Sequence, residues 1–166
     1  TKSHSHDVAI PSLFIEREGD NGVRVGIDYI PIEGAMGEES RADTDYTTGA
    51  GASVTRKAKA DLENHITLYV EIPIGSSPFY GRVGVASVTI STDEDLDTTG
   101  STYGDDDIFG FNVGIGAARE FGNNNFIKAA VNYIDYEEVE LTSSSSNKIT
   151  ADVDRVGLQI SVGKKF

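Results

Sequence analysis

Acidic, basic and imidazole side chains recur at every second position within several apolar stretches of the chain. In the stretch 58–74, Asp61, Glu63 and His65 occupy every second position, and a nearby Ser would complete a hydrolase-like set. No family-specific nucleophile motif accompanies His65, so we expect no enzymatic activity. The competing interpretation is a structural network, because charges that face a narrow interior must be paired. The expected members of this interior charge network are Arg24, Asp28, Glu63, His65, Glu71, Arg82, Lys128 and Arg155.

A second chemical feature is the segment "STDEDLDTTGSTYGDDD" at 91–107, which carries seven acidic residues and no basic ones. Carboxylate oxygens are the ligands that Ca²⁺ and Mg²⁺ prefer, although the spacing of an EF-hand is absent. A solvated acidic loop is the competing interpretation. The divalent-cation interpretation would use Asp93, Asp95, Asp97, Asp105, Asp106 and Asp107. The sequence predicts no other cofactor.

Composition narrows the class of protein. The 166 residues carry a formal net charge of −13, which argues against nucleic acid as a partner. There is no Cys, so neither disulfides nor thiolate metal sites are expected. No run of 18 apolar residues is present, and the opening "TKSHSHD" lacks the pattern of a signal peptide.

The elements that would position the charged residues are β-strands. Apolar and polar residues alternate with a period of two, and no convincing amphipathic helix is found. Short polar turns at 19–22, 75–78 and 122–125 alternate with long polar segments at 33–57, 91–107 and 142–148. The sequence therefore predicts seven antiparallel strands. They span roughly 8–18, 23–32, 58–74, 79–92, 108–120, 126–141 and 149–166.

Two architectures produce this alternation: a soluble sheet with a buried apolar face, or a membrane barrel whose apolar face meets lipid. The polar face is rich in Gly, as expected where a crowded interior needs small residues. The strict alternation of short and long connections is typical of membrane barrels. A membrane barrel is also favoured by the aromatic residues beside the short turns and by strands long enough to cross a bilayer. The pattern therefore favours lipid around the apolar face.

The last strand carries the most specific motif. Leu158, Ile160 and Val162 alternate with polar residues, and Phe166 ends the sequence. This ending resembles the carboxy-terminal signal that the barrel-assembly machinery reads in bacterial outer-membrane proteins, although Lys164 stands where that signal usually has an apolar residue. With the strand pattern, the chain resembles small eight-stranded outer-membrane barrels of the opacity-porin type. The resemblance implies location in the bacterial outer membrane, with lipid, lipopolysaccharide and the assembly machinery as partners.

The predicted fold is thus an all-β, antiparallel, up-and-down transmembrane barrel over residues 1–166. Bacterial single-chain barrels have even strand numbers, so we expect eight strands in the native protein, with the first missing from the seven seen here. The expected function is a structural or surface-interaction role through acidic extracellular loops, including contacts with cells, phage or other copies. A narrow porin-like channel and a soluble lipocalin-like carrier are the alternatives.

Overall fold

A computed structural model shows that the protein folds into β-strands. The structure describes residues 9–31, 34–45, 51–95, 102–144, 146 and 148–165. Within this part of the chain, no helix is long and apolar enough to cross a membrane. The strands are β1 Leu13–Glu18, β2 Arg24–Ile30, β3 Gly34–Asp45, β4 Ala52–Pro73, β5 Phe79–Asp95, β6 Asp106–Phe121, β7 Asn125–Tyr136, β8 Val139–Thr142, β9 Lys148–Ala151 and β10 Asp154–Lys164.

Seven strands form one antiparallel sheet in the order β1-β2-β4-β5-β6-β7-β10, and β3 continues alongside β4 where β2 ends. Strands β8 and β9 form a separate two-stranded ribbon. The predicted antiparallel up-and-down arrangement is therefore confirmed. The structure adds β3 and residues 52–57 of β4, which fall in a segment that the sequence presented as a long polar loop. Their backbone pairing extends the sheet without any apolar alternation.

The three short polar turns all lie at one end of the sheet, which we call the turn end. Gly22, Gly75 and Gly122 adopt positive φ angles of 76°, 60° and 58° there, a conformation that a side chain would strain. The opposite end, which we call the loop end, carries the longer connections. Strands β1 and β10 therefore both run from the loop end to the turn end.

The sheet curls until its two edges approach each other. Phe14 of β1 and Phe126 of β7 lie edge to face with ring centroids 6.0 Å apart. Gln159 of β10 donates a hydrogen bond to Asp28 of β2 over 2.7 Å. Since β1 and β10 occupy opposite edges of the sheet, such contacts require a nearly closed, barrel-like cross-section.

The side-chain pattern inverts along the strands, as β5 shows. Near the turn end, Val83 and Val85 point outward and are about half exposed, while Arg82 points inward and is buried. Beyond Ala86 the polarity is reversed, and Val88 points inward with 1% of its surface exposed. We call the part on the turn side of this level the lower barrel and the part on the loop side the upper barrel.

The upper barrel encloses an apolar core of inward side chains from β5, β6, β7 and β8. Its buried members are Ala86, Val88, Ile90, Ile108, Ile134, Tyr136 and Val139, and Leu62, Leu141 and Val153 pack against them. Burial of these side chains away from water stabilises the loop end as it does in a soluble protein.

A β-bulge in β4 marks the inversion. The register with β5 shifts between Glu63 and Ile66, and Asn64 there has a φ of 52°. The extra residue exchanges the two faces, so Leu62 joins the inward core opposite Ile90. The sequence pattern places Leu62 on the same outward face as Ile66, and the bulge shows that this is wrong.

Candidate functional site

The inward face of the lower barrel is organised around one carboxylate. Glu71 of β4 is fully buried. Its oxygens accept hydrogen bonds from Arg24 Nε at 2.8 Å, from Arg82 Nη2 at 2.5 Å and from Lys128 Nζ at 3.0 Å. Three cations from β2, β5 and β7 therefore converge on it, which compensates for its loss of hydration.

A second carboxylate, Glu16 of β1, completes this cluster. Lys128 Nζ also binds Glu16, and the Tyr69 hydroxyl donates to Glu16 over 3.0 Å. The cluster thus pairs two carboxylates with three cations. Glu16 was not predicted from the sequence, because the consecutive apolar run 13–15 hides the alternation of β1. Its position one residue after Ile15 in a period-two strand was the signal that could have found it.

Two tyrosines fill the space beside the cluster. Tyr69 and Tyr80 are each only 1% exposed. Arg82 Cζ lies 4.0 Å from the Tyr69 ring centroid and Arg24 Cζ lies 5.0 Å from the Tyr80 centroid, distances suited to cation–π interactions.

The rings fit because glycines face them. A Cβ atom on Gly26 or on Gly116 would lie 2.5 Å from the Tyr69 or the Tyr80 ring, respectively. A methyl group at either position would therefore clash with a ring. These two glycines of the inward face leave the space that the rings occupy, so among the described residues the lower interior is filled at this level.

Asp28 belongs to a second polar cluster, centred on Gln159. Gln159 Oε1 accepts from Arg82 Nη1 at 2.9 Å and from Asn132 Nδ2 at 3.2 Å. Its Nε2 donates to Asp28, and Ser12 Oγ donates to the same carboxylate over 3.2 Å. One amide therefore links β10 to β2, β5 and β7 through the interior.

His65 and Arg155 meet at the border of the upper core. His65 Nε2 lies 2.7 Å from the Tyr136 hydroxyl, which also takes part in a hydrogen bond with Arg155. His65 Nδ1 has no hydrogen-bond partner within the described part of the chain. No acid–His pair with Asp61 forms, because Asp61 lies on the opposite face and pairs with Lys59 at 2.5 Å.

The structure does not bring Glu63 into the interior charge network, which corrects that part of the prediction. Glu63 pairs with Thr89 of β5 in register, and Thr89 lies on the outward face. The bulge at Asn64 is the physical reason, since it moves every residue on its loop side to the other face. The other predicted members lie inward, in the clusters around Glu71, Gln159 and Tyr136.

The predicted acidic residues do not gather in what the structure describes. Asp107 Oδ1 accepts from Thr89 Oγ1 at 2.6 Å, and Asp105 Oδ1 accepts from the Thr92 amide at 3.3 Å. Asp106 lies opposite Ile90 in the backbone register of the sheet, and Asp93 lies opposite Lys59. No group of three or more metal-ligating side chains occurs among the described residues. The side chain of Asp95 and all of Asp97 lie outside them.

The residues of the proposed assembly signal lie on an edge strand. Leu158, Ile160 and Val162 point outward from β10, while Phe166 lies outside the described residues. Lys164 is exposed at the end of the same strand. The described members of the signal thus form one continuous apolar row on the outer surface of the sheet.

A charged cluster closes the rim at the turn end. Lys165 Nζ binds Glu120 and lies 3.3 Å from Glu18. The hydrogen bond to Glu120 raises the pKa of Lys165. This exposed cluster lies beyond the last residue of β10 and connects β1, β6 and the end of the chain.

The outward apolar face of the lower barrel is unusual for a sheet surrounded by water. Its large side chains are extensively exposed and occur on β1, β2, β4, β5, β6, β7 and β10. A contiguous apolar surface of this extent marks contact with a partner or a membrane. Together with the charged, filled interior, it matches the arrangement of a transmembrane barrel.

Comparison with known proteins supports this assignment. Neither the curated proteins nor the solved structures contain a significant match to the chain. The model of one family, described as outer membrane protein beta-barrel domain, matches residues 16–166, which covers β1 from Glu16 onward and every later strand. The chain therefore belongs to the outer membrane protein beta-barrel domain family and is a β-barrel of the bacterial outer membrane.

Proposed function

We propose that this outer-membrane barrel serves a structural and surface-interaction role, in which the lower barrel anchors an acidic loop end that faces the outside of the cell. The observation that carries the proposal is the inversion of polarity along the strands. An apolar outer face suits lipid, and the apolar inner core of the upper barrel suits a rigid platform standing in water. Lipid and lipopolysaccharide are its proposed neighbours.

The charge of the loop end supports an interaction role. Residues 91–107 contribute seven acidic side chains and no basic one. Asp105 and Asp107 are fastened to β5 through Thr92 and Thr89, so part of this charge is held on the ordered upper barrel. A fixed negative surface attracts cationic ligands and repels anionic ones.

The filled lower interior argues against a freely open pore. Glu71, its three cationic partners and the two buried tyrosines occupy one level of the lower interior, and a cavity of about 760 Å³ lined by Arg24, Tyr80 and Lys128 extends from this level to the short turns. A soluble carrier of apolar ligands is not supported either, since its interior would be apolar at this level. A narrow channel stays a second candidate, because a polar-lined cavity of about 360 Å³ lies beside Gln159.

Surface binding of a fluorescent oligolysine to cells that display the protein tests the proposal. We expect the variant D93N/D105N/D107N to bind less oligolysine than the parent, while D20N at the turn end leaves binding unchanged. Equal binding by the parent and the triple variant would contradict an acidic interaction surface. Conductance in planar bilayers separates the second candidate, since steady single-channel currents from the purified protein would favour the channel.

A further inference from the structure

The lower barrel carries two kinds of basic side chain, which differ in whether a carboxylate neutralises them. Inside, Arg24, Arg82 and Lys128 each bind a carboxylate, and Lys165 does so at the rim. Such pairing is what a charge inside a narrow barrel requires. These four cations are therefore already occupied and offer little to a further ligand.

The second kind of basic side chain lies at the turn-end edge of the outward face. Arg17 of β1, Arg119 of β6 and Lys164 of β10 are exposed there. Arg17 lies opposite the outward Val25. Arg119 lies opposite the outward Ile127. Within the described part of the chain, no carboxylate forms an ion pair with any of the three cations, which we call the basic belt.

Charges of opposite sign are segregated along the outward face. Asp135 and Asp154 lie opposite each other on this face, at the loop ends of β7 and β10. Between their level and the basic belt, the described outward positions of the main sheet carry no charged residue. The outward face is therefore cationic at its turn-end edge and acidic toward the loop end, so the two leaflets of a membrane would meet charges of opposite sign.

The basic belt borders the apolar outward face directly. Arg17 occupies the next outward position after Ile15 on β1. Lys164 occupies the next outward position after Val162 on β10. Long basic side chains at such an edge lay their apolar stems along the hydrophobic surface and place their charges at headgroup depth. The half-exposed Phe121 lies at the same end of the sheet, as aromatic residues at a membrane interface do.

Two members of the basic belt are close enough to share one ligand. Arg119 lies opposite Ile127 on β7, and Ile127 lies opposite Val162 on β10. Lys164 is therefore two strands across and two residues along from Arg119, or about 10 Å and about 7 Å. Both side chains are long enough to converge on one phosphate, which a guanidinium binds through two parallel hydrogen bonds. Arg17 and Lys164 line one cavity, so the belt continues onto β1.

We propose that the basic belt binds the headgroups of anionic phospholipids in the leaflet at the turn end, and so selects phosphatidylglycerol over zwitterionic phospholipids. The inference deepens the proposed function, from which it takes that the loop end faces outside the cell. Charge complementarity supports this ligand: the whole chain carries a net charge of −13, so its attraction for an anionic headgroup depends on a local group of unpaired cations. An acidic protein fits less well, because the belt adjoins the lipid-facing side chains.

The lipid selectivity of the full-length protein in phosphatidylcholine vesicles tests this proposal. A trace of spin-labelled phosphatidylglycerol or phosphatidylcholine reports the fraction of each lipid that is held at the protein surface. We expect the parent to hold phosphatidylglycerol about fivefold more strongly than phosphatidylcholine, the order of one basic side chain at an anionic surface. The variant R17Q/R119Q/K164Q should lower this ratio to less than about twofold. A parent without preference, or a triple variant with the preference of the parent, would overturn the proposal.

Lys165→Gln is the matched control, since it removes a neighbouring cation that already binds Glu120, and it should keep the ratio of the parent. An equal loss with this control would overturn the proposal, because the effect would then follow net charge alone. The variant R17K/R119K, which keeps both charges, should also retain the preference, and heat-modifiable gel mobility confirms that each variant is folded. Spin-labelled lipid A is a further arm, and a triple variant that loses lipid A but keeps phosphatidylglycerol would overturn the proposal in favour of lipopolysaccharide. The oligolysine assay reports only on the loop end, so failure of one proposal is distinguishable from failure of the other.

Discussion

The lower and upper barrel are built from the same strands with opposite polarity. On β5, Arg82 and Val88 both point inward, but the first contacts charges and the second an apolar core. On the outward face of β5, the apolar Val85 is followed toward the loop end by the polar Thr89. The difference shows where the surrounding medium changes: an apolar face is stable toward lipid, and toward water the apolar residues must turn inward. We therefore infer that the level of inversion on β5 marks the outer limit of the membrane there.

The largest expected effect comes from breaking the charged interior of the lower barrel. Glu71→Ala leaves Arg24, Arg82 and Lys128 facing one another with Glu16 as the remaining carboxylate of the cluster. We expect a loss of about 3–5 kcal/mol of unfolding free energy, as for other broken buried ion pairs. Urea titration of the protein in detergent micelles, followed by heat-modifiable gel mobility, measures it.

Glu63→Ala is the matched control for this prediction, since it removes a carboxylate from the outward face of the same strand. Its cost should stay within about 0.5 kcal/mol, the usual range for surface substitutions. Equal costs for the two variants would contradict the separation of Glu63 from the interior network.

A cation placed on the outward face sharpens the contrast between the two halves. Val83→Arg places a guanidinium near the middle of the apolar band and should cost about 2–4 kcal/mol. Thr89→Arg, on the same face but in the upper barrel, should cost less than about 1 kcal/mol, because the band has ended there. The same titration in lipid vesicles compares them, and similar costs would place the membrane limit elsewhere on β5.

Substitutions at the bulge that separates the two halves should change the unfolding free energy by a smaller amount. Asn64 has a positive φ of 52°, which Asn and Gly tolerate better than β-branched residues. Asn64→Val should lower the unfolding free energy by about 1–2 kcal/mol, while Asn64→Gly should be close to neutral. If both variants matched the parent, the left-handed conformation at this position would be refuted.

The smallest expected effect is a change of unfolding free energy with pH, caused by the charged cluster at the turn-end rim. The folded pKa of Lys165 is raised by its hydrogen bond to Glu120, so this pair stabilises the fold below the unfolded pKa of lysine. The contribution is lost as pH rises through the raised folded value. Unfolding free energies of the parent and Lys165→Gln should therefore differ at pH 9 and converge above that folded pKa. Lys164→Gln, one residue earlier and exposed, is the control and should show no such convergence.

Much of the fold could be predicted, because the side chains of a β-strand alternate between two faces and so give the sequence a period of two. Outward residues such as Val83, Leu158 and Ile160 alternate with inward residues, and Gly22, Gly75 and Gly122 mark the turns. The strand β3 was not predicted, since it has backbone pairing but little apolar alternation. The role of Glu16 was hidden by the run 13–15, in which three apolar residues occupy both faces of β1.

The sequence by itself determined the seven strands along the main sheet, their antiparallel neighbours, and the lipid-facing side of the lower barrel. These follow from local alternation and turn residues, which need no knowledge of distant contacts. Only the tertiary structure decided that Glu71 has three cationic partners and that the bulge at Asn64 exchanges the faces of β4. Each depends on register between strands, and one added residue in a strand changes which side chains meet.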